Sequence, residues 1–179
     1  MLKCSVAILC LGTVSGTAFI HPENGFAQNL PVSQTAQLVR ADARSVGDAR
    51  FTAPDYKPGI VRHLVMFRFK HQVTQAERDD VTKRFVALAQ LSRRPDGRAV
   101  VSSIEAGPQI SGENVDFGLE QGYLVTFHSQ GDRNFYVGRP IVTDSRYFDP
   151  AHDAFKSFAG PYLERVAVFD FPVEVHFQP

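Results

Sequence analysis

The sequence predicts an α+β fold with its elements in the order β-α-β-β-α-β, the split-βαβ plan. Three stretches carry that expectation. Residues 60–70 alternate with period two, as a strand does when one face is buried. Thr74 and Glu77 stand at capping-box spacing ahead of an amphipathic run. Asp149-Pro150 supplies a second helix start, an N-cap followed by a residue whose fixed φ is already helical.

Residues 28–58 are rich in Ala, Arg, Asp, Ser and Gln. Leu38, Val39 and Val46 make only a thin apolar stripe, so residues 34–49 read as a weak helix within a linker or loosely docked arm. Pro54 and Pro58-Gly59 mark the boundary of a domain spanning residues 59–179. In the first strand Val61, His63, Val65, Phe67 and Phe69 share one face, and Leu64 and Met66 make the middle of the other face apolar, so both faces are expected to be covered. The helix after Thr74 runs to about Leu91, with Val81, Phe85 and Leu88 on its stripe. Arg93-Arg94-Pro95-Asp96-Gly97 ends it, and the two arginines are read as complements to its C-terminus.

Residues 98–107 are β-like, 108–118 form a loop, 120–128 make the third strand, and 132–136 suggest a short helical turn. The helix from Pro150 puts His152, Phe155 and Ala159 on one face. Gly160-Pro161 breaks it, and residues 165–175 close the chain as a strand in which Pro172 suits an edge or an end.

Lysines and arginines number 19 and so do aspartates and glutamates, so no basic field invites nucleic acid. Residues 1–27 read as a signal peptide. Lys3 precedes a charge-free apolar run over residues 5–20, and Gly25 and Ala27 place small residues at a cleavage site. Gly12, Ser15 and Gly16 interrupt that run, so no stable membrane anchor is expected after cleavage. The expected location is outside the cytoplasm, periplasmic or extracellular. Both cysteines, Cys4 and Cys10, fall within this segment, which leaves the mature chain without thiol chemistry.

Gly-rich phosphate loops, dinucleotide fingerprints, zinc helices and nucleophile elbows are all missing from the sequence, and neither a cofactor nor a metal is expected. The 15 phenylalanines at core periodicity serve either as packing or as walls for a flat apolar ligand, for which Val65, Phe67, Phe85, Tyr147 and Phe155 are candidate contacts. His63 and His152 each stand on an apolar face, where a histidine is either a satisfied structural residue or an acid/base or ligand-contacting group. His152 also lies in the first turn of its helix, where the positive end of the dipole favours the neutral imidazole.

Four stretches in this order, residues 63–70, 123–127, 149–152 and 168–171, resemble the stress-responsive dimeric α+β barrel (Dabb) family over about residues 59–175. The resemblance implies a ferredoxin-like monomer that joins a second copy as a homodimer, in a dimeric α/β barrel. In enzymes of that family, including a plant branch that cyclises polyketides, a strand-one histidine and the tyrosine and last histidine of a Tyr-x-x-His-Pro-x-His run line a cavity between sheet and helices. Here His63 and His152 match the two histidines. The run is split: Tyr136 and Pro140 remain, Arg139 stands where a histidine is usual, and an insertion precedes Asp149. Tyr147 is the alternative to Tyr136. The resemblance thus implies His152, Tyr136 and His63 as catalytic candidates.

Two functions follow as expectations. One is an exported domain that binds a small apolar or aromatic compound. The other is a cofactor-free lyase, polyketide cyclase or monooxygenase, in which His152 takes a proton and Tyr136 hydrogen-bonds the enolate.

Overall fold

The computed structural model describes residues 31–175 and 177. The expected signal segment, with both cysteines and the export it implies, lies outside the described residues. Two helices come first, α1 (Gln34–Val46) and α2 (Asp48–Phe51). Then follow β1 (Pro58–Phe69), α3 (Gln75–Leu91), β2 (Ser103–Pro108), β3 (Gln121–Ser129), α4 (Gln130–Val137), α5 (Pro150–Ala159) and β4 (Leu163–Pro172). The strands lie in the order β2-β3-β1-β4 and every pairing is antiparallel, which is the ferredoxin-like arrangement.

The sheet is not closed, and this corrects the expected dimeric α/β barrel. β2 and β4 are both edges. Four strands, each turned by about 20–25° from its neighbour, make an open twisted sheet, whereas a barrel with an interior that side chains can fill takes about eight.

Local chemistry explains the helix starts. At α3 the Thr74 hydroxyl accepts from the Glu77 N–H, and the Glu77 carboxylate accepts from the Thr74 N–H at 2.8 Å. At α5 the Asp149 carboxylate accepts from the Ala151 N–H at 2.9 Å, with Pro150 at the first helical position. Pro172 ends the edge strand β4, where its missing donor costs no ladder bond.

One main core fills the layer between sheet and helices. Val61, Val65 and Phe67 of β1 meet Val81, Phe85 and Leu88 of α3, Phe135 of α4, and Phe155 of α5. The Phe85 and Tyr123 rings stack at 4.0 Å, and the Tyr123 hydroxyl pairs with the Thr82 hydroxyl at 2.8 Å. Burial pushes the Tyr123 phenol up to about 12 despite that bond.

The arm is seated rather than loose. Ala43, Phe51 and Tyr56 pack with Val142 and Phe148 in a second, separate cluster. The thin stripe of α1 gains apolar partners from Phe51 and Tyr56 farther along the chain, which periodicity within α1 alone does not reveal. Arg94 also departs from its expected place. Arg93 Nε donates to the Gln90 carbonyl in the last turn of α3, but Arg94 turns inward to Asp132 of α4 and to the Thr52 carbonyl.

The sheet face away from the helices carries Leu64, Met66, Leu124 and Ala167, all half-buried, and Phe169, which is 62% exposed. Register makes these residues neighbours: Leu64 pairs with Leu124 on one side and with Phe169 on the other.

Candidate functional site

Strand alternation aims His63 toward the helices, and antiparallel register sets Asp170 of β4 directly across from it. His63 Nδ1 lies 2.6 Å from Asp170 Oδ1, and Arg133 of α4 donates from Nη1 to Asp170 Oδ2 at 2.7 Å. Burial raises the Asp170 carboxyl, but hydrogen bonds and positive charge from His63 and Arg133 outweigh it and hold the group below the usual carboxylate range. An ionised carboxylate only accepts, so the hydrogen bond fixes the proton on His63 Nδ1.

The buried His63 ring meets Tyr136 edge to face at 5.9 Å between centroids. On its other side Tyr136 stacks against His152 at 3.9 Å and 14°. His152 Nδ1 donates to the Tyr136 carbonyl at 2.6 Å, because a carbonyl can only accept. His63, Tyr136 and His152, one each from β1, α4 and α5, therefore form a continuous chain of rings, and they are 4%, 1% and 7% exposed. Phe127 adds a fourth ring 5.1 Å from Tyr136. The Tyr136 hydroxyl is buried without a hydrogen-bond partner among the described residues.

Burial pushes the Tyr136 phenol well above its ordinary range, and the negative charge of Asp149 adds to this. Burial also holds the His152 imidazole well below its ordinary range, helped by the positive neighbours Lys156 and His63, while the Tyr136 carbonyl opposes. The direction is the one expected from the helix dipole, but burial is its leading cause. His152 is neutral near pH 7, with its lone pair on Nε2.

That burial makes stability depend on pH. The unfolded imidazole takes a proton below about pH 6.5, whereas the folded one refuses it until lower pH. Stability is therefore complete above about pH 6.5 and falls as pH drops toward the folded value, by up to about 1.4 kcal/mol per pH unit. Urea denaturation measured from about pH 7.5 down to about pH 5 reads the slope. His152→Gln is expected to flatten it, and a variant with the wild-type slope would refute the assignment.

The expected lining residues divide between the two clusters. Val65, Phe67, Phe85 and Phe155 belong to the main core and pack on one another, with Phe85 5.9 Å from Phe67 and 5.2 Å from Phe155. Tyr147 is half-buried against the second cluster, so of the two candidate tyrosines it is Tyr136 that lies between the histidines. Two surface hollows lie elsewhere, one of about 610 Å³ beside the β2–β3 loop and one of about 440 Å³ between α1 and Pro140-Ile141. Among the described residues no cluster of three or more His, Cys, Asp or Glu is placed to hold a metal ion, and no helix is long and apolar enough to cross a membrane.

Sequence reasoning missed Asp170 and Arg133. A usable signal was present for the first: Asp170 shares the phase of Val166 and Val168 in β4, and so is an acid on the helix-facing side of an apolar strand. Arg133 gave none, since its role depends on where α4 crosses the sheet.

Residues 61–173 match the family model described as Stress responsive A/B Barrel Domain (Dabb). The chain belongs to the Dabb family. This Dabb domain is 22% identical over 111 residues to olivetolic acid cyclase of Cannabis sativa, a match that spans 62% of this chain and 94% of that protein. The hydroxynitrile lyase of Passiflora edulis superposes with a TM-score of 0.52 at 23% identity, covering 68% of this chain and 99% of the lyase, and shares the Dabb domain's fold. A Bacteroides fragilis protein, described as dimeric, of unknown function and ferredoxin-like, matches with a TM-score of 0.45 at 21% identity, over 65% of this chain and 99% of its own. Despite the family's name, the sheet of this Dabb domain is open.

Proposed function

We propose that this Dabb domain binds a small apolar or aromatic compound between its sheet and its helices, with the Tyr136 hydroxyl as the polar contact. The unpartnered, buried Tyr136 Oη carries the reading. Leaving such a group unsatisfied costs about 1–3 kcal/mol, which a ligand oxygen or nitrogen would recover. The surroundings suit a flat apolar molecule, because Phe127 and two imidazole rings pack around the Tyr136 ring.

The test uses a panel of small phenols and aryl ketones in thermal-shift titrations of the wild type and Tyr136→Phe. The wild type is expected to be stabilised by panel members. The variant should keep its fold and bind them about tenfold more weakly, the worth of one hydrogen bond to a buried group. Equal affinity in both proteins, or no stabilisation of the wild type by any member, would refute the reading.

A second reading, a cofactor-free lyase or cyclase, draws on the two histidines. His152 carries its proton on Nδ1 and, neutral near pH 7, offers Nε2 as the base, while Asp170 orients His63. His152 would remove an acidic C–H proton while Tyr136 donates to the oxygen on which negative charge grows. The names of the two plant relatives, a cyclase and a lyase, support this class of chemistry.

The proposal includes a homodimer through the open sheet face, since Leu64, Met66, Leu124, Ala167 and Phe169 otherwise leave a contiguous apolar patch in water. Light scattering at micromolar concentration is expected to give twice the chain mass, and Leu64→Asp to give the monomer by placing an unpaired charge in the contact. A monomeric wild type would sink this part.

A further inference from the structure

Two parts of the chain flank α4 outside the β-α-β-β-α-β elements: the arm, which precedes the matched residues, and the 138–148 connection, which lies within them and separates Tyr136 from His152. They pack on each other. Ala43, Phe51 and Tyr56 of the arm and Val142 and Phe148 of the connection form a small cluster distinct from the main core. We infer that these two parts form a clamp that controls the exposure of His152, closing the ligand layer when seated and opening it when loosened.

Geometry supports this in three ways. The connection joins the end of α4 to the start of α5, and the two ends are tied together by the Asp149 N–H, which donates to the Phe135 carbonyl at 2.9 Å. The connection is folded tightly on α4: Gly138 has a positive φ of 59°, and a Cβ there would fall 2.6 Å from the Phe148 Cβ. The arm then holds α4 from the other side. Asn134 Nδ2 donates to the Phe51 carbonyl at 2.7 Å, and the Gly131 N–H donates to the Tyr56 carbonyl at 3.0 Å. Tyr136, on α4, is thus gripped between the arm contacts and the connection, and the stack of His152 on Tyr136 depends on α5 staying in register with α4.

Because the clamp has its own cluster, it can loosen while the main core stays intact, as a locally cooperative unit does. Such a loosening lets the first turn of α5 move away from α4 and bares the His152 ring, while Tyr136 stays in the main core. The purpose of the clamp rests on the binding reading, but its action does not, so the test uses no ligand.

The test measures carbethoxylation of His152 by diethyl pyrocarbonate, which attacks the neutral imidazole, with peptide mass spectrometry to separate this site from the other histidines. Phe51→Ala loosens the arm side, Val142→Ala loosens the connection side, and Tyr56→Phe removes only the 2.6 Å hydrogen bond to Asp42 while keeping the ring. In the full chain, the first two are expected to raise the His152 rate by about tenfold or more, and Tyr56→Phe to raise it less, while β1 amides keep wild-type hydrogen exchange. An unchanged His152 rate in a variant whose arm amides have lost protection overturns the clamp. A rate that rises only in step with β1 exchange also overturns it, since global unfolding then explains the exposure. Failure of the binding reading would show separately, as an absence of stabilisation by the phenol and ketone panel.

Discussion

Asp132→Ala is expected to destabilise the domain by about 3–5 kcal/mol, the range found when one partner of a buried ion pair is removed and the other stays behind. Both side chains of the Arg94–Asp132 pair are 9% exposed, and Arg94 reaches Asp132 Oδ1 from Nε at 3.1 Å and from Nη2 at 2.6 Å. Without the carboxylate the guanidinium keeps, among the described residues, the Thr52 carbonyl and the Phe135 ring, 4.7 Å away. Asp132 also lies in the first turn of α4, where its charge suits the helix N-terminus. Urea unfolding of wild type, Asp132→Ala, Arg94→Met and the double variant measures the effect as a cycle. The double variant should be more stable than Asp132→Ala alone, because no buried charge is then left unpaired. A loss below about 1 kcal/mol, the scale of exposed pairs, would show that the pair is solvated.

Gly131→Ala is expected to cost about 3 kcal/mol or more, at the upper end of overpacking effects. A Cβ built on Gly131 would sit 1.7 Å from the Ala53 carbonyl oxygen and 2.8 Å from its carbon. Those are backbone atoms, so no rotamer change relieves the overlap, and the turn carrying Tyr56 has to shift away from α4. Gly112→Ala, with nothing within 4 Å of its new methyl, is the control and should stay within about 0.5 kcal/mol of wild type. Equal melting of the two variants would show that the arm yields without cost.

Local signals were the ones a reader of the sequence could use. The alternation of β1, the Thr74–Glu77 box and the Asp149-Pro150 start each depend on residues a few positions apart, and each stands in the structure where the pattern put it. The closeness of His63 and His152 was suggested by family likeness, whereas the pattern showed only that each faces the apolar side of its own element. Long-range register hid the rest. Asp170 meets His63 across 107 positions, and Arg94 meets Asp132 across 38. Arg94 follows Arg93 in a helix-ending stretch, and one residue of offset sends the two in opposite directions. The expected barrel failed for a different reason: the strand count and edges of a sheet are properties of its assembly, and no stretch of the chain encodes them alone.

The central position of β1 bears on how the chain is made. Among the described elements it is the first strand, yet both its neighbours, β3 and β4, follow it in the chain, β4 only after α5. A nascent chain that has emerged through α5 therefore offers a long, apolar strand with one side unpaired, which among the described residues the ten-residue β4 covers. Commitment to the native sheet has to wait for β4, so pairing is nonlocal and slow relative to the helices. A stop codon before Leu163 would release a self-associating fragment rather than a smaller working domain.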